Sequence, residues 1–175
     1  MTRSGFKSLN KDMTNQYGMK FEEGKTYSLP ETTILTKGVN GTGFHFTPYL
    51  EDTLAYVNGL EEDICIATVT ALGDILTFSD PFNYYGYDNL TATSKIRIDH
   101  IMSREEIINH MLTRPENAII RFISGYKLTR EEINQIENTY PDRIMVALAI
   151  KYYQEKDKKA YEKAYEKAYE KGLYR

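Results

Sequence analysis

The chain has no tryptophan, a single cysteine and no excess of positive charge. Each of these absences removes a class of function. With Cys65 alone, no intramolecular disulfide forms and no cysteine-based zinc cluster assembles. In "DICIATV" the thiol stands within an apolar run and reads as a small core residue. The net charge of −3 provides no drive for counterion release, so direct nucleic-acid binding is not expected. No apolar run approaches the roughly 20 residues that span a bilayer, and "MTRSGFKSLNKDM" has no signal-type segment. The expectation is a cytoplasmic protein without membrane contact. Histidine is scarce as well. His45, His100 and His110 fall at spacings that match no metal motif, so no metal site is expected. The nucleophile-elbow, Walker and dinucleotide fingerprints are missing, and "GVNGTG" lacks the Lys-Ser/Thr that would make it a phosphate loop.

What is present suits a folded globule. Hydrophobic residues make up 41% and charged residues 27% of 175 residues, enough for one core with an appendage. Residues 5–29 read as short extended pieces around an "EEGK" turn, where Gly24 is free to take positive φ. Phe44–Phe46 reads as a strand after a glycine-rich loop. Thr47-Pro48 then reads as a helix start, with Thr47 as cap and Leu50, Leu54 and Val57 on one face up to Gly59. "EDICIATVTALGDIL" (62–76) is the clearest buried strand, with a turn or bulge at Gly73-Asp74. "SDPFNYYGYDNLTATS" (79–94) is loop by composition. "SKIRIDHI" alternates Ile96 and Ile98 against Lys95, Arg97 and Asp99, the pattern of a half-exposed strand.

From residue 103 the pattern is helical. Ser103…Glu106 and Thr129…Glu132 are capping boxes, Pro115 and Pro141 open further segments, and Gly125 closes one. The chain ends in three copies of Ala-Tyr-Glu-Lys. A four-residue repeat drifts by about 40° per copy around a helix, so Tyr161, Tyr165 and Tyr169 form a slanted stripe. That tail reads either as a solvated, partly frayed helix or as a Tyr-lined docking helix. Strands followed by helices imply an α+β protein: a β-rich domain at 1–102, with one short helix, and a helical extension at 103–175 whose repeat tail spans 160–171.

Two places are candidates for function. In "GTGFHFTPYLEDTLAYV" His45 alternates away from Phe44 and Phe46 and stands beside the expected helix start. It is either a structural residue of the strand-to-helix junction, with one ring nitrogen in a local hydrogen bond, or part of an anion or nucleotide site with Thr47 and Tyr49. In "FNYYGYDNL" (82–90) Asn83, Tyr84, Tyr85 and Tyr87 crowd a segment too rich in turn formers to bury three rings. Exposed tyrosines are common hot-spot material, so this loop is the expected contact with a partner.

"FEEGKTY", "GTGFHF", "LEDTLAYV", "ICIATVTALGDI" and "TSKIRID" together resemble a family of small uncharacterised proteins encoded by phages and prophages, over residues 5–108. Members often carry a cysteine just after the Gly-Phe-His element. Thr47 follows Phe46 here, so no cysteine-dependent role carries over. The resemblance implies a mobile-element setting, in the cytoplasm of a bacterial host cell. "GTGFHFTPYLEDTLAYV" and "IATVTALGDI" are also similar in outline to the ADP-ribosyltransferase fold, which implies an NAD site. No histidine or glutamate of that catalytic set is matched, and only Arg3 could stand for the arginine of one subclass.

Three functions are therefore expected. The leading one is a phage or mobile-element accessory protein that binds and modulates a host protein, most concretely an anti-CRISPR-like inhibitor of a CRISPR nuclease, with no cofactor. The alternative is an NAD-using enzyme of ADP-ribosyltransferase type. The third is a minor virion structural protein.

Overall fold

The computed structural model describes residues 3–38, 40–78 and 90–171. In chain order the strands are β1 (Arg3–Asn10), β2 (Thr26–Ser28), β3 (Phe44–Phe46), β4 (Ile64–Ala71), β5 (Ile75–Phe78), β6 (Leu90–Thr93) and β7 (Lys95–Ile101). The helices are α1 (Leu50–Thr53), α2 (Arg104–Met111), α3 (Glu116–Gly125), α4 (Arg130–Thr139), α5 (Ile144–Ala149) and α6 (Lys158–Glu170). The fold is mixed α+β. The chain forms two compact units, one of Met1–Val57 with Asp63–Ile107 and one of Asn58–Glu62 with Ile108–Arg175. The boundary between the units falls inside α2, between Ile107 and Ile108, while the last strand ends at Ile101 and the run of helices begins at Arg104.

The strand-rich unit holds two antiparallel sheets, ordered β1-β4-β7-β2 and β3-β6-β5. They are two arms of one bent ribbon. β4 runs into β5 through Leu72–Asp74, and β6 runs into β7 through Ser94. At that corner Leu72 N donates to Lys95 O (2.8 Å), Asp74 N to Ser94 Oγ (2.9 Å) and Ser94 N to Asp74 O (3.2 Å). These bonds pair the N–H groups of Leu72, Asp74 and Ser94 as the ladder turns. Gly73 sits at the corner because a Cβ there would overlap Ser94 Oγ and come within 2.9 Å of Lys95 Cβ. On the other side, Phe6 and Thr47 exchange backbone hydrogen bonds of 2.7 and 2.9 Å, which joins β1 to the end of β3. The pairings β1–β4–β7, then β6–β3, then back to β1, form a ring.

Alternation places the core. Phe44, Phe46, Ile96 and Ile98 are buried, while Lys95 and Arg97 are exposed. They pack with Leu9, Phe21, Ala67, Val69 and Ala71. A smaller cluster, Phe78, Leu90 and Ala92, adjoins Tyr56 and Leu76. Gly24 takes the positive φ expected of its turn (+77°).

Two expectations need correction here. Leu90–Thr93 is no loop. It is a four-residue strand whose side chains are all buried, Thr91 and Thr93 completely. The expected contact residues Asn83, Tyr84, Tyr85 and Tyr87 lie outside the described residues. Thr47 is not a helix cap either. It pairs with Phe6 in extended conformation, and its hydroxyl donates to Tyr49 O (2.8 Å). α1 begins only at Leu50, capped by Tyr49 without a side-chain hydrogen bond, and gives way to a 3₁₀ turn at Leu54–Tyr56.

In the helical unit, Ala118, Ile119, Phe122 and Ile123 of α3, Ile133 and Ile136 of α4, and Val146, Leu148 and Ala149 of α5 are buried. The capping box at α4 is complete, with Thr129 Oγ1 accepting from Glu132 N and Glu132 Oε2 accepting from Thr129 N. After α5 the chain makes a π turn, Ile150–Gln154. It ends at Gln154, whose side chain donates to the carbonyls of Ile123 and Tyr126 and accepts from Leu128 N. One glutamine thus satisfies the end of α3.

The repeat tail is not simply a solvated helix. Tyr161 packs at a tilt against Tyr152 of the π turn (4.7 Å between centroids) and adjoins Tyr165 (6.0 Å). Ala168 is buried, and Tyr169 is 67% exposed. The drift of about 40° per copy explains this. By the third copy it has carried tyrosine off the packed face and brought alanine onto it.

Candidate functional site

β3 presents opposite faces to different surroundings. Phe44 and Phe46 enter the main core. His45 faces the other way, opposite Ala92, and meets the Phe78 ring edge-on at 6.2 Å. Its Nε2 is buried and makes no hydrogen bond. The local hydrogen bond expected of a junction histidine is therefore absent among the described residues. Burial, and secondarily the Lys7 charge, push the His45 pKa down to about 4, so the ring is neutral at physiological pH.

The expected anion site does not gain support from α1. Its first turn carries Glu51 and Asp52, both buried. Two carboxylates at a helix start of four residues oppose a phosphate or a dinucleotide rather than attract one. Thr47 is committed to β1, and Tyr49 is 40% exposed at the entry to α1. His45, Thr47 and Tyr49 are near in sequence, yet their roles diverge. α1 is held to β1 by a different pair: Thr53 Oγ1 accepts from Ser8 N (2.9 Å), and Ser8 Oγ donates to Thr53 O (3.0 Å).

Sequence reasoning missed Lys7. It lies between Gly5 and Leu9 on the inward face of β1, and its ammonium donates to His45 O (2.9 Å) above the Phe21 ring. Burial lowers its pKa to about 8. The signal was the alternation Gly5, Lys7, Leu9, which becomes legible once 3–10 is known to be a strand. Cys65, expected as a small core residue, is half-buried and packs against the core, with burial pushing its thiol pKa up.

A second polar cluster joins three segments of the strand-rich unit. His100 at the end of β7 lies between Glu23 (Nδ1 to Oε2, 3.1 Å) and Glu106 (Nε2 to Oε2, 2.9 Å). Glu23 also accepts from Ile101 N (2.6 Å), and Glu106 from Ser103 N (2.6 Å), the other half of the expected capping box. Glu106 and Glu23 together raise the His100 pKa.

On the surface of this unit, Tyr17 and Ile34 are 70% and 80% exposed, and Met19 stands out beside Tyr17. Tyr17 OH donates to Asn40 Oδ1 (3.3 Å), which brings the 12–20 and 30–42 loops together. Among the described residues no cluster of His, Cys, Asp and Glu could hold a metal ion, and no helix is long and apolar enough to cross a membrane.

Residues 4–110 match the model of a domain of unknown function, DUF7666, and the chain belongs to that family. The match runs from β1 to α2, leaving α3–α6 outside it. No curated protein and no solved structure matches the chain.

Proposed function

We propose that this protein acts by binding a host protein, as a phage or mobile-element accessory factor, and most concretely as an inhibitor of a CRISPR nuclease. The observation that carries the binding reading is the apolar surface of the strand-rich unit. Tyr17 and Ile34 stand largely in water on two loops tied by Tyr17–Asn40. An exposed tyrosine is the usual material of a protein contact, and an exposed isoleucine adds apolar area to it. The tyrosine-rich segment at 82–90 is proposed as a second part of the contact.

The phage setting rests on the sequence elements "FEEGKTY" and "GTGFHF". An NAD-using enzyme is less favoured, because the helix start beside His45 is occupied by Glu51 and Asp52. Capture from host lysate with micromolar immobilised protein tests the binding reading, and a nuclease assay on the captured protein tests the inhibitory one. Retention of a specific host protein, followed by loss of its cleavage activity, is the expected result. No retained protein at that concentration, or label transferred to lysate proteins from NAD, contradicts it.

A further inference from the structure

His100, at the end of β7, stands between two carboxylates from distant parts of the chain. Its Nδ1 lies 3.1 Å from Glu23 Oε2, and its Nε2 lies 3.0 and 2.9 Å from the two oxygens of Glu106. Each carboxylate also accepts a backbone N–H through an oxygen that it turns to the ring. Glu23 Oε2 accepts from Ile101 N (2.6 Å), and Glu106 Oε2 accepts from Ser103 N (2.6 Å). All three side chains are half in water, so the ring exchanges its protons with solvent.

An ionised carboxylate only accepts hydrogen bonds, so both ring nitrogens donate here, and only the imidazolium has two N–H groups. The arrangement is that of the charged ring. Once a proton leaves, one nitrogen turns a lone pair toward a carboxylate, and that contact becomes repulsive. Nε2 faces both oxygens of Glu106 and keeps its proton. Nδ1 faces a single, more distant oxygen and loses it. Among the described residues, Glu106 and Glu23 are the charges that act on the ring. Elsewhere around it, β4 places the uncharged Thr68 opposite His100, Lys25 pairs with Glu22 in the turn, and Arg97 pairs with Asp99 on β7.

We propose that Glu23, His100 and Glu106 form a pH-sensitive clasp, which fastens the turn at 22–25 to the end of β7 and the start of α2 while the ring holds two protons, and lets Glu23 go when it loses one. Glu106 stays, because it also closes the capping box with Ser103. Glu23 leaves Ile101 as well as His100, since one oxygen serves both. Gly24 N still donates to Ile98 O, and Ile98 N to Lys25 O, so the opening is local. The raised His100 pKa, due first to its hydrogen bond with Glu106, agrees with the clasp. This device goes beyond the binding reading and does not depend on it.

The test follows the His100 ring nitrogens and the Ile101 amide of the whole isotope-labelled protein by NMR. The window is about pH 5.5 to 8.5, where histidine titrates and an ordinary glutamate does not. At the low end both ring nitrogens should carry protons, the midpoint should lie above 6.5, and Nδ1 should be the nitrogen that loses its proton. Protection of the Ile101 amide from hydrogen exchange, corrected for the intrinsic rate at each pH, should fall at least about threefold across that midpoint. The step should vanish in Glu23→Gln and in His100→Gln, both exposed changes that leave the core intact. A midpoint at or below 6.5, loss of the Nε2 proton in place of the Nδ1 proton, unchanged protection across the midpoint, or a step that persists in either variant overturns the proposal.

Discussion

Gly5 on β1 runs directly against the carbonyl of Thr47. A Cβ at this glycine would overlap that oxygen and come within 2.6 Å of Phe46 Cδ2. The close approach lets Phe6 and Thr47 exchange hydrogen bonds and joins β1 to β3. Gly5→Ala should therefore destabilise the strand-rich unit by about 1–3 kcal/mol, since the obstacle is backbone and cannot rotate away. Urea unfolding measures it. An unchanged midpoint would mean that the ring is not closed at Thr47.

His45→Ala should cost about 1–3 kcal/mol by removing the ring from Phe78 and leaving a cavity. Binding per folded molecule should survive. A variant that melts normally but captures nothing would make His45 a site residue. The histidine also carries a pH signature. Its pKa falls from 6.5 to about 4 on folding, so between these values the unfolded chain binds more proton than the folded one. This contribution is complete above pH 6.5 and is lost as pH falls toward 4. Melting curves of His45→Phe should show a smaller decline over that window than the wild type.

His100 carries the opposite sign. Glu106 and Glu23 raise its pKa, so its contribution is complete below the ordinary histidine value of 6.5 and is lost as pH rises through the folded value. The stability difference between wild type and His100→Gln should thus shrink as pH increases from 6. A difference that grows with pH would contradict the pairing with Glu23 and Glu106.

The tail separates its tyrosines by role. Tyr161→Ala removes the ring contact with Tyr152 and should cost about 1 kcal/mol, whereas Tyr169→Ala should stay within about 0.5 kcal/mol. Thermal unfolding compares them. Deleting residues 160–175 should leave partner capture within a few fold. Abolished capture would move the contact to α6.

These elements also show where sequence is informative. The capping boxes at Ser103 and Thr129 are local and are formed as the spacing implies. The alternation of β7 is legible because one face is wet. β6 is illegible for the opposite reason. Both faces of "LTAT" are buried, so its brief apolar–polar alternation marks no wet face, and the four residues follow a stretch dense in turn formers. Thr47 misleads because threonine suits both a cap and a strand, and only the distant Phe6 decides between them. Lys7 and Glu23 draw their significance from partners 38 and 77 residues away, which no local pattern encodes.

The binding claim is tested most directly by comparing lysate capture by the wild type with capture by Tyr17→Ser/Ile34→Ser. Both side chains are largely in water, so the double variant should fold and melt as the wild type does. If they form the contact, capture should fall by more than about tenfold, as expected when hot-spot side chains worth about 2 kcal/mol each are truncated. Capture that is unchanged in a fully folded double variant would contradict the account.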